Sequence, residues 1–279
     1  MFTLNCKGKL ISTEIPLIMG IINATPDSFY EGDLAKGMNG ILALAEKMIK
    51  DGATILDIGG QSTRPNSTRI NIEEEIERVI PVIEMIHTRF PETIISIDTY
   101  QSNVAIAAVQ AGASMVNDIS GGQMDAEMIA TVAGMRNVPY ICMHTKGTPE
   151  TMQAQAVYED VTKEVLEYFI SKIDECKKAG IKDVVVDPGF GFAKNSAHNF
   201  TLLKNLSVLN MLDKPILVGI SRKSTIYKTL NVTAVEALNG TTVLNTLALN
   251  NGANILRVHD VKEAMEAVTL MQCYKNTIA

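Results

Sequence analysis

Eight short apolar runs in this chain each give way to a polar or charged side chain: Asn23, Asp57, Asp98, Asn117 with Asp118, His144, Asp187, Ser221 with Arg222 and Lys223, and Arg257 with His259. These groups fall into two chemical sets. Asp98, Asn117 and Asp187 suit a flat heterocycle carrying N–H and amino donors, because a carboxylate accepts two parallel hydrogen bonds and an asparagine both gives and accepts. The cations gather late in the chain, where Ile220-Ser221-Arg222-Lys223-Ser224 leads into a helix start and Arg257-Val258-His259-Asp260 follows. A helix start whose free N–H groups stand beside Lys and Arg suits an oxyanion such as phosphate. Each residue also has a plainer reading: Asp and Asn cap helices, and Arg222 with Lys223 would serve as a solvated helix start. Their joint occurrence is what points to a site.

Such groups converge only if the elements carrying them do. The runs Leu17 to Ile22, Thr54 to Ile58, Thr93 to Ile97, Ser114 to Val116, Val138 to Met143, Asp183 to Val186, Pro215 to Ile220 and Asn254 to Val258 read as buried strands. Between them lie helical stripes, such as Ile41, Leu44, Ala45, Met48 and Ile49, or Ile76, Val79, Ile80, Ile83 and Ile86. Four helix-to-strand junctions repeat a glycine, at Gly52, Gly112, Gly180 and Gly252, the residue that takes a left-handed cap without steric cost. Eight βα units predict an α/β fold, a single-domain (β/α)8 TIM barrel over 17–279, whose strand ends meet at one mouth. Residues 1–16 then form an N-terminal extension covering the barrel bottom. A doubly wound open sheet is the rival, but it favours a G-x-G-x-x-G turn after the first strand, where Asn23-Ala24-Thr25-Pro26-Asp27 stands instead. The connections Ala24 to Lys36 and Gly59 to Asn71 have no periodicity and read as functional lids.

Composition narrows the function. Of 279 residues, 46% are hydrophobic and 20% charged, which is enough for a full core and too little charge for disorder. A formal charge of −6 opposes general nucleic-acid binding. No apolar run approaches the ~20 residues that span a bilayer, so no membrane partner is expected. Cys6, Cys142, Cys176 and Cys273 are dispersed, without a C-x-x-C pair, and point to reduced thiols in the cytoplasm. A Walker loop and an H-E-x-x-H helix are absent, and Asp187-Pro188-Gly189-Phe190-Gly191-Phe192 fails as a dinucleotide fingerprint because Lys194 stands where a third glycine belongs. His87 and His198 read as structural or solvated. The methionines read as core filler, with Met143 positioned to line a pocket.

In order and spacing, Met19-Gly20-Ile21-Ile22-Asn23-Ala24-Thr25-Pro26-Asp27-Ser28-Phe29, Asp57-Ile58-Gly59-Gly60-Gln61-Ser62-Thr63-Arg64-Pro65, Ser96-Ile97-Asp98-Thr99, Val116-Asn117-Asp118-Ile119, Met143-His144, Asp187 to Phe192, Gly219 to Ser224 and Arg257 to Asp260 resemble the dihydropteroate synthase family across almost the whole chain. The resemblance implies a transferase that joins 6-hydroxymethyl-7,8-dihydropterin diphosphate to 4-aminobenzoate, releasing diphosphate. It also implies that Asp98, Asn117, Asp187 and Lys223 bind the pterin, and that Asn23, Arg257 and His259 hold the diphosphate with Mg2+ near Asn23. Thr63, Arg64, Phe192, Lys223 and Ser224 would form the 4-aminobenzoate pocket, the serine end receiving the carboxylate. Asp98, Asp187, Lys223, Arg257 and His259 would carry the catalysis. A homodimer is implied as well.

The chemistry asks for such groups. Diphosphate leaving a methylene on an electron-rich dihydropterin leaves a delocalised cation, so opposite charges are expected at opposite ends of the site. One departure falls in the first loop. The family follows its Ser-Phe with a short spacer and Asp-Gly-Gly, whereas Phe29 is followed by Tyr30-Glu31-Gly32-Asp33. Glu31 is taken as the loop acid, with Asp33 as the alternative. Two other readings stay open: a methyltetrahydrofolate-corrinoid methyltransferase-like barrel sharing Asp98, Asn117 and Asp187, and an inactive pterin-binding paralogue.

Overall fold

The computed structural model describes residues 1–24, 34–61 and 69–277, with side chains of the first helix from residue 37 onward. The loop positions Glu31, Asp33, Thr63 and Arg64 lie outside the described residues. An antiparallel hairpin, β1 (Thr3–Cys6) and β2 (Lys9–Ser12), opens the chain. Eight parallel strands follow: β3 (Leu17–Asn23), β4 (Ile55–Gly59), β5 (Ile94–Asp98), β6 (Met115–Asp118), β7 (Tyr140–Met143), β8 (Val184–Asp187), β9 (Leu217–Val218) and β10 (Ile255–Val258). Their order is β8-β7-β6-β5-β4-β3-β10-β9. A parallel bridge between Val186 and Ile216 joins β8 to the residue before β9, so the sheet closes into the expected barrel.

The helices α1 (Leu34–Lys50), α2 (Ile72–Arg89), α3 (Ser102–Ala111), α4 (Met128–Gly134), α5 (Val161–Ala179), α6 (Ser196–Lys204), α7 (Ser224–Leu230), α8 (Leu238–Asn250) and α9 (Val261–Asn276) surround the sheet. Local chemistry fixes their ends. Asn71 accepts the Glu74 N–H at 2.8 Å ahead of α2, and Asp160 accepts from Thr162 and Lys163 ahead of α5. Gly52, Gly112, Gly180 and Gly252 all carry φ between 103° and 129°, as the repeated junctions require. On α1 the apolar stripe buries Ile41, Ala45 and Met48 and leaves Leu44 41% exposed.

Parity along the strands divides the core. Ile18, Ile22, Leu56, Ile58, Ile95, Ile97, Val116, Val186, Val218 and Leu256 point outward and pack under the helices. Leu17, Met19, Ile55, Ile94, Met115, Ile141, Val185, Leu217 and Ile255 point inward as a second cluster, which also takes in Leu4 and Cys6 of the hairpin. The hairpin therefore seals the lower end. Asn5 N–H donates to Asp183 and the Lys7 ammonium to the Val109 carbonyl, tying it to the loop before β8 and to the last turn of α3. Each such buried aliphatic side chain contributes about 1.5 to 3 kcal/mol. With the bottom filled, the next inward positions upward are free to be polar.

Candidate active site

Two residues above the inward apolar positions stand Asp57, Ser96, Asn117, Met143, Asp187, Gly219 and Arg257, and Asn23, Asp98, Ser221 and His259 continue the same parity. The mouth thus collects Asn23, Asp57, Asp98, Asn117, Asp187, Arg257 and His259. It does not collect all the polar strand ends. Asp118 has the outward phase, where its carboxylate accepts from Ser120, Gly122 and Tyr140 and clamps a turn. His144, also out of phase, is buried behind the mouth, with Nδ1 2.9 Å from the Lys194 ammonium. Arg222 turns away as well: it pairs with Asp260 through Nε at 2.8 Å and Nη2 at 2.7 Å, and it caps the carbonyls of Ala234 and Val235.

Arg257 organises the centre. Its Nε donates to Asp57 Oδ2 and its Nη2 to Asp98 Oδ2, each at 2.6 Å. The two carboxylates hold its pKa above the ordinary arginine range despite burial. Asp57 Oδ2 also accepts Asn117 Nδ2 at 2.9 Å. A carboxylate can only accept there, so the giving half of the Asn117 amide is engaged and its carbonyl oxygen remains as an acceptor. Burial raises the pKa of Asp98, with Arg257 opposing, and burial raises Asp187, with Lys223 opposing. The expected separation of charge into an acidic ring end and a basic leaving-group end is therefore corrected. The principal cation of the mouth sits among the acids, because an arginine fork so deeply placed needs carboxylate partners.

Lys223 stands at the other side. Its ammonium donates to the Phe190 carbonyl at 2.5 Å and lies 4.6 Å from the Phe192 ring centroid. Burial lowers its pKa to about 8, while Asp187 resists. The turn bearing Phe190 and Phe192 passes close because Gly191 has φ 81°, with Lys223 Cδ only 3.2 Å from where a Cβ would be. Phe192 in turn joins Tyr100, Ile119, Met143 and Met124 in an apolar cluster beside the acids. Ser224, the first residue of α7, is half-buried next to Lys223. A flat ring thus finds acceptors on one edge, an ammonium on another and apolar faces around it.

Asn23 and His259 lie apart from that ring region. Together with Ile21 and Gly40, Ile41 and Leu44 of α1 they line a cavity of about 340 Å3. His259 Nδ1 is 3.0 Å from Ser221 Oγ, so Ser221 orients the imidazole. Limited hydration and then the Arg257 charge hold the imidazole pKa below its usual range, leaving the ring neutral at pH 7. Among the described residues, no three His, Cys, Asp or Glu side chains gather as a metal cage. Asn23 offers a single carboxamide oxygen, a donor suited to Mg2+, which keeps much of its shell as water and substrate phosphate.

Several contributors escaped sequence reasoning. Asp57 has no role assigned from the sequence, although its parity with Asp98 carries the signal. Ile119 and Tyr100 follow strand ends as ordinary apolar residues. Lys194, which in the sequence marks only a missing glycine, is 3% exposed and directed into the turn after β8.

Residues 19–259 match the family described as pterin binding enzyme. The dihydropteroate synthase of Escherichia coli K12 is 42% identical over 268 residues, spanning 95% of this chain and 94% of its own. The solved structure of Xanthomonas albilineans dihydropteroate synthase with 4-aminobenzoic acid is similar at a TM-score of 0.92 and 36% identity, covering 99% of each chain. That enzyme in complex with 7,8-dihydropteroate gives a TM-score of 0.89 at 34% identity, over 99% of this chain and 100% of that one. Barrel, mouth and sequence agree, and this chain belongs to the dihydropteroate synthase family of pterin-binding enzymes.

Proposed function

We propose that this chain is a dihydropteroate synthase, condensing 6-hydroxymethyl-7,8-dihydropterin diphosphate with 4-aminobenzoate to give 7,8-dihydropteroate and diphosphate. The observation that carries the reading is Lys223, held by the Phe190 carbonyl and the Phe192 ring next to the Asp98, Asn117 and Asp187 acceptors. Those three acceptors match the N–H and amino donors along the pterin edge, and the ammonium meets its oxygen edge. The apolar cluster takes the ring faces. Thr63, Arg64, Phe192, Lys223 and Ser224 are assigned to the 4-aminobenzoate pocket, with the Ser224 end taking the carboxylate.

The C–O bond from the methylene to the diphosphate breaks with its electron pair leaving on oxygen, and the amine nitrogen forms the new C–N bond. The nitrogen then releases one proton to solvent or the departing phosphate. An aromatic amine is already neutral at pH 7, so the residues need only orient it. Asp98 and Asp187 stabilise positive charge on the ring, while His259 and Asn23 receive the leaving oxygens, with Arg257 offering them only the part of its guanidinium not paired to Asp57 and Asp98. Mg2+, when bound near Asn23, neutralises charge on the diphosphate. Glu31 is assigned as the loop acid.

Homodimers are proposed because the adjacent helices α8 and α9 leave Val243, Leu247, Leu270 and Tyr274 exposed; light scattering tests this. The cytoplasm is proposed from four free cysteines, three of them buried. No described helix is long and apolar enough to cross a membrane.

The deciding experiment incubates the chain with the pterin diphosphate and Mg2+, with and without 4-aminobenzoate, and follows diphosphate and 7,8-dihydropteroate together. Pterin binding without product would favour the inactive paralogue.

A further inference from the structure

Lys194 has no part in the chemistry above, yet its side chain is inserted directly behind it. Its ammonium lies 2.9 Å from His144 Nδ1, 3.1 Å from the carbonyls of both Gly189 and Phe192, and 3.4 Å from the His144 carbonyl. Among the described residues no carboxylate pairs with it. Taking an ammonium out of water is expensive, and methionine would fill the same space without that cost. The acceptors gathered here are what the charge offsets. They belong to a turn that bends sharply, with Gly189, Gly191 and Ala193 at φ 70°, 81° and 48°. At Gly189 a Cβ would fall 2.0 Å from the His144 carbonyl oxygen, so the ends of β7 and β8 are pressed together where Lys194 joins them.

The other side of that turn faces the site, presenting the Phe190 carbonyl and the Phe192 ring to Lys223. We propose that Lys194 is a positioning residue: it locks the turn after β8 so that Phe190 and Phe192 hold Lys223, and it sets a positive charge behind Asp187. The proposal rests on the synthase reading. Electrostatics agree with the geometry. Asp187 is faced by Lys223 from the start of α7, by Arg257 from β10, by Lys194 and by the Gly189 N–H, all of which favour its ionised form against burial. Lys194 is faced by His144, Lys146, Lys223 and Asp187, and burial brings its pKa down to about 7. Lys194 carries its charge below about pH 7, where it opposes the rise that burial imposes on Asp187.

Two variants separate its roles. Lys194→Met removes donors and charge, and is expected to raise the KM for 4-aminobenzoate roughly tenfold, the loss of about one hydrogen bond's positioning, with a smaller change in the KM for the pterin. Lys194→Gln keeps N–H donors and loses the charge. It is expected to keep the aminobenzoate KM within roughly threefold, while the acid limb of kcat/KM moves to higher pH by roughly half a unit or more. A merely structural lysine would lower the melting temperature and leave both readouts in place. If Lys194→Met does not fold, Lys194→Gln decides by its acid limb. An inactive parent chain overturns the synthase reading and this proposal together, whereas an active parent with unmoved KM values and acid limbs in the variants overturns this proposal alone.

Discussion

Replacing Asp57 by asparagine keeps the shape of a fully buried side chain and removes one charge. In the parent, Oδ2 accepts from Arg257 at 2.6 Å and from Asn117 at 2.9 Å, while Oδ1 is buried without a partner among the described residues. The asparagine carbonyl can take over both bonds, so each survives in weaker form. Its amide nitrogen must then occupy the place of Oδ1, burying N–H donors without a partner there. Turning a charge-assisted bond into a neutral one costs about 1 kcal/mol, and an unsatisfied buried donor about 1 to 3 more, giving roughly 2 to 4 kcal/mol. Arg257 retains Asp98, which limits the loss. For a chain of this size that corresponds to a melting temperature lower by roughly 4 to 15 °C. If the amide instead turns over, it confronts Arg257 with a donor and the cost rises. Asn117 is held more weakly in the first case and released in the second, so the KM for the pterin diphosphate should rise by up to roughly tenfold, with a smaller effect on 4-aminobenzoate. Thermal unfolding and steady-state kinetics with each substrate varied measure both. A variant that melts within roughly 2 °C of the parent with an unchanged pterin KM would refute the view that Asp57 organises the mouth.

Lys223→Ala should lower kcat/KM by roughly 10² to 10³, the range for loss of one preorganised stabiliser, and His259→Ala should chiefly weaken diphosphate handling; normal kinetics in both would contradict the site assignment. Glu31→Ala should reduce turnover more than Asp33→Ala, and an inert Glu31→Ala change would transfer the loop role. Arg222→Met should destabilise the fold by about 2 kcal/mol through loss of its pair with Asp260, while both KM values stay within roughly twofold in steady-state assays. Burial lowers the pKa of His144 from 6.5 to about 2. The unfolded chain therefore binds a proton that the fold refuses, so this contribution is full above pH 6.5 and declines as the pH falls below it. Urea midpoints measured between pH 7 and 4.5 should show a flatter dependence in His144→Asn, which keeps an acceptor for Lys194.

The barrel was legible because its signals are local and repeated. Apolar runs of strand length, helical stripes between them and a glycine at each of four junctions each follow from backbone geometry within a few residues. Strand parity also carried more of the site than the list of polar strand ends suggested. Counting by twos upward from Ile55, Met115, Val185 and Ile255 arrives at Asp57, Asn117, Asp187 and Arg257, and the same count excludes Asp118 and His144. Arg222 could not be resolved that way, since it leaves the strand at φ 53° and finds Asp260 across the β10 loop.

The sequence by itself determined which elements form and which side chains face the barrel axis, because period and capping are properties of neighbouring residues. Only the tertiary structure decided which charges meet. Arg257 lies 200 residues from Asp57 and 159 from Asp98, and Lys194 lies 50 from His144, so these partnerships exist only once the barrel has closed. Ion-pair energies depend on separation and burial rather than on order along the chain, and that is why a cation read as part of the leaving-group end stands among the acids instead.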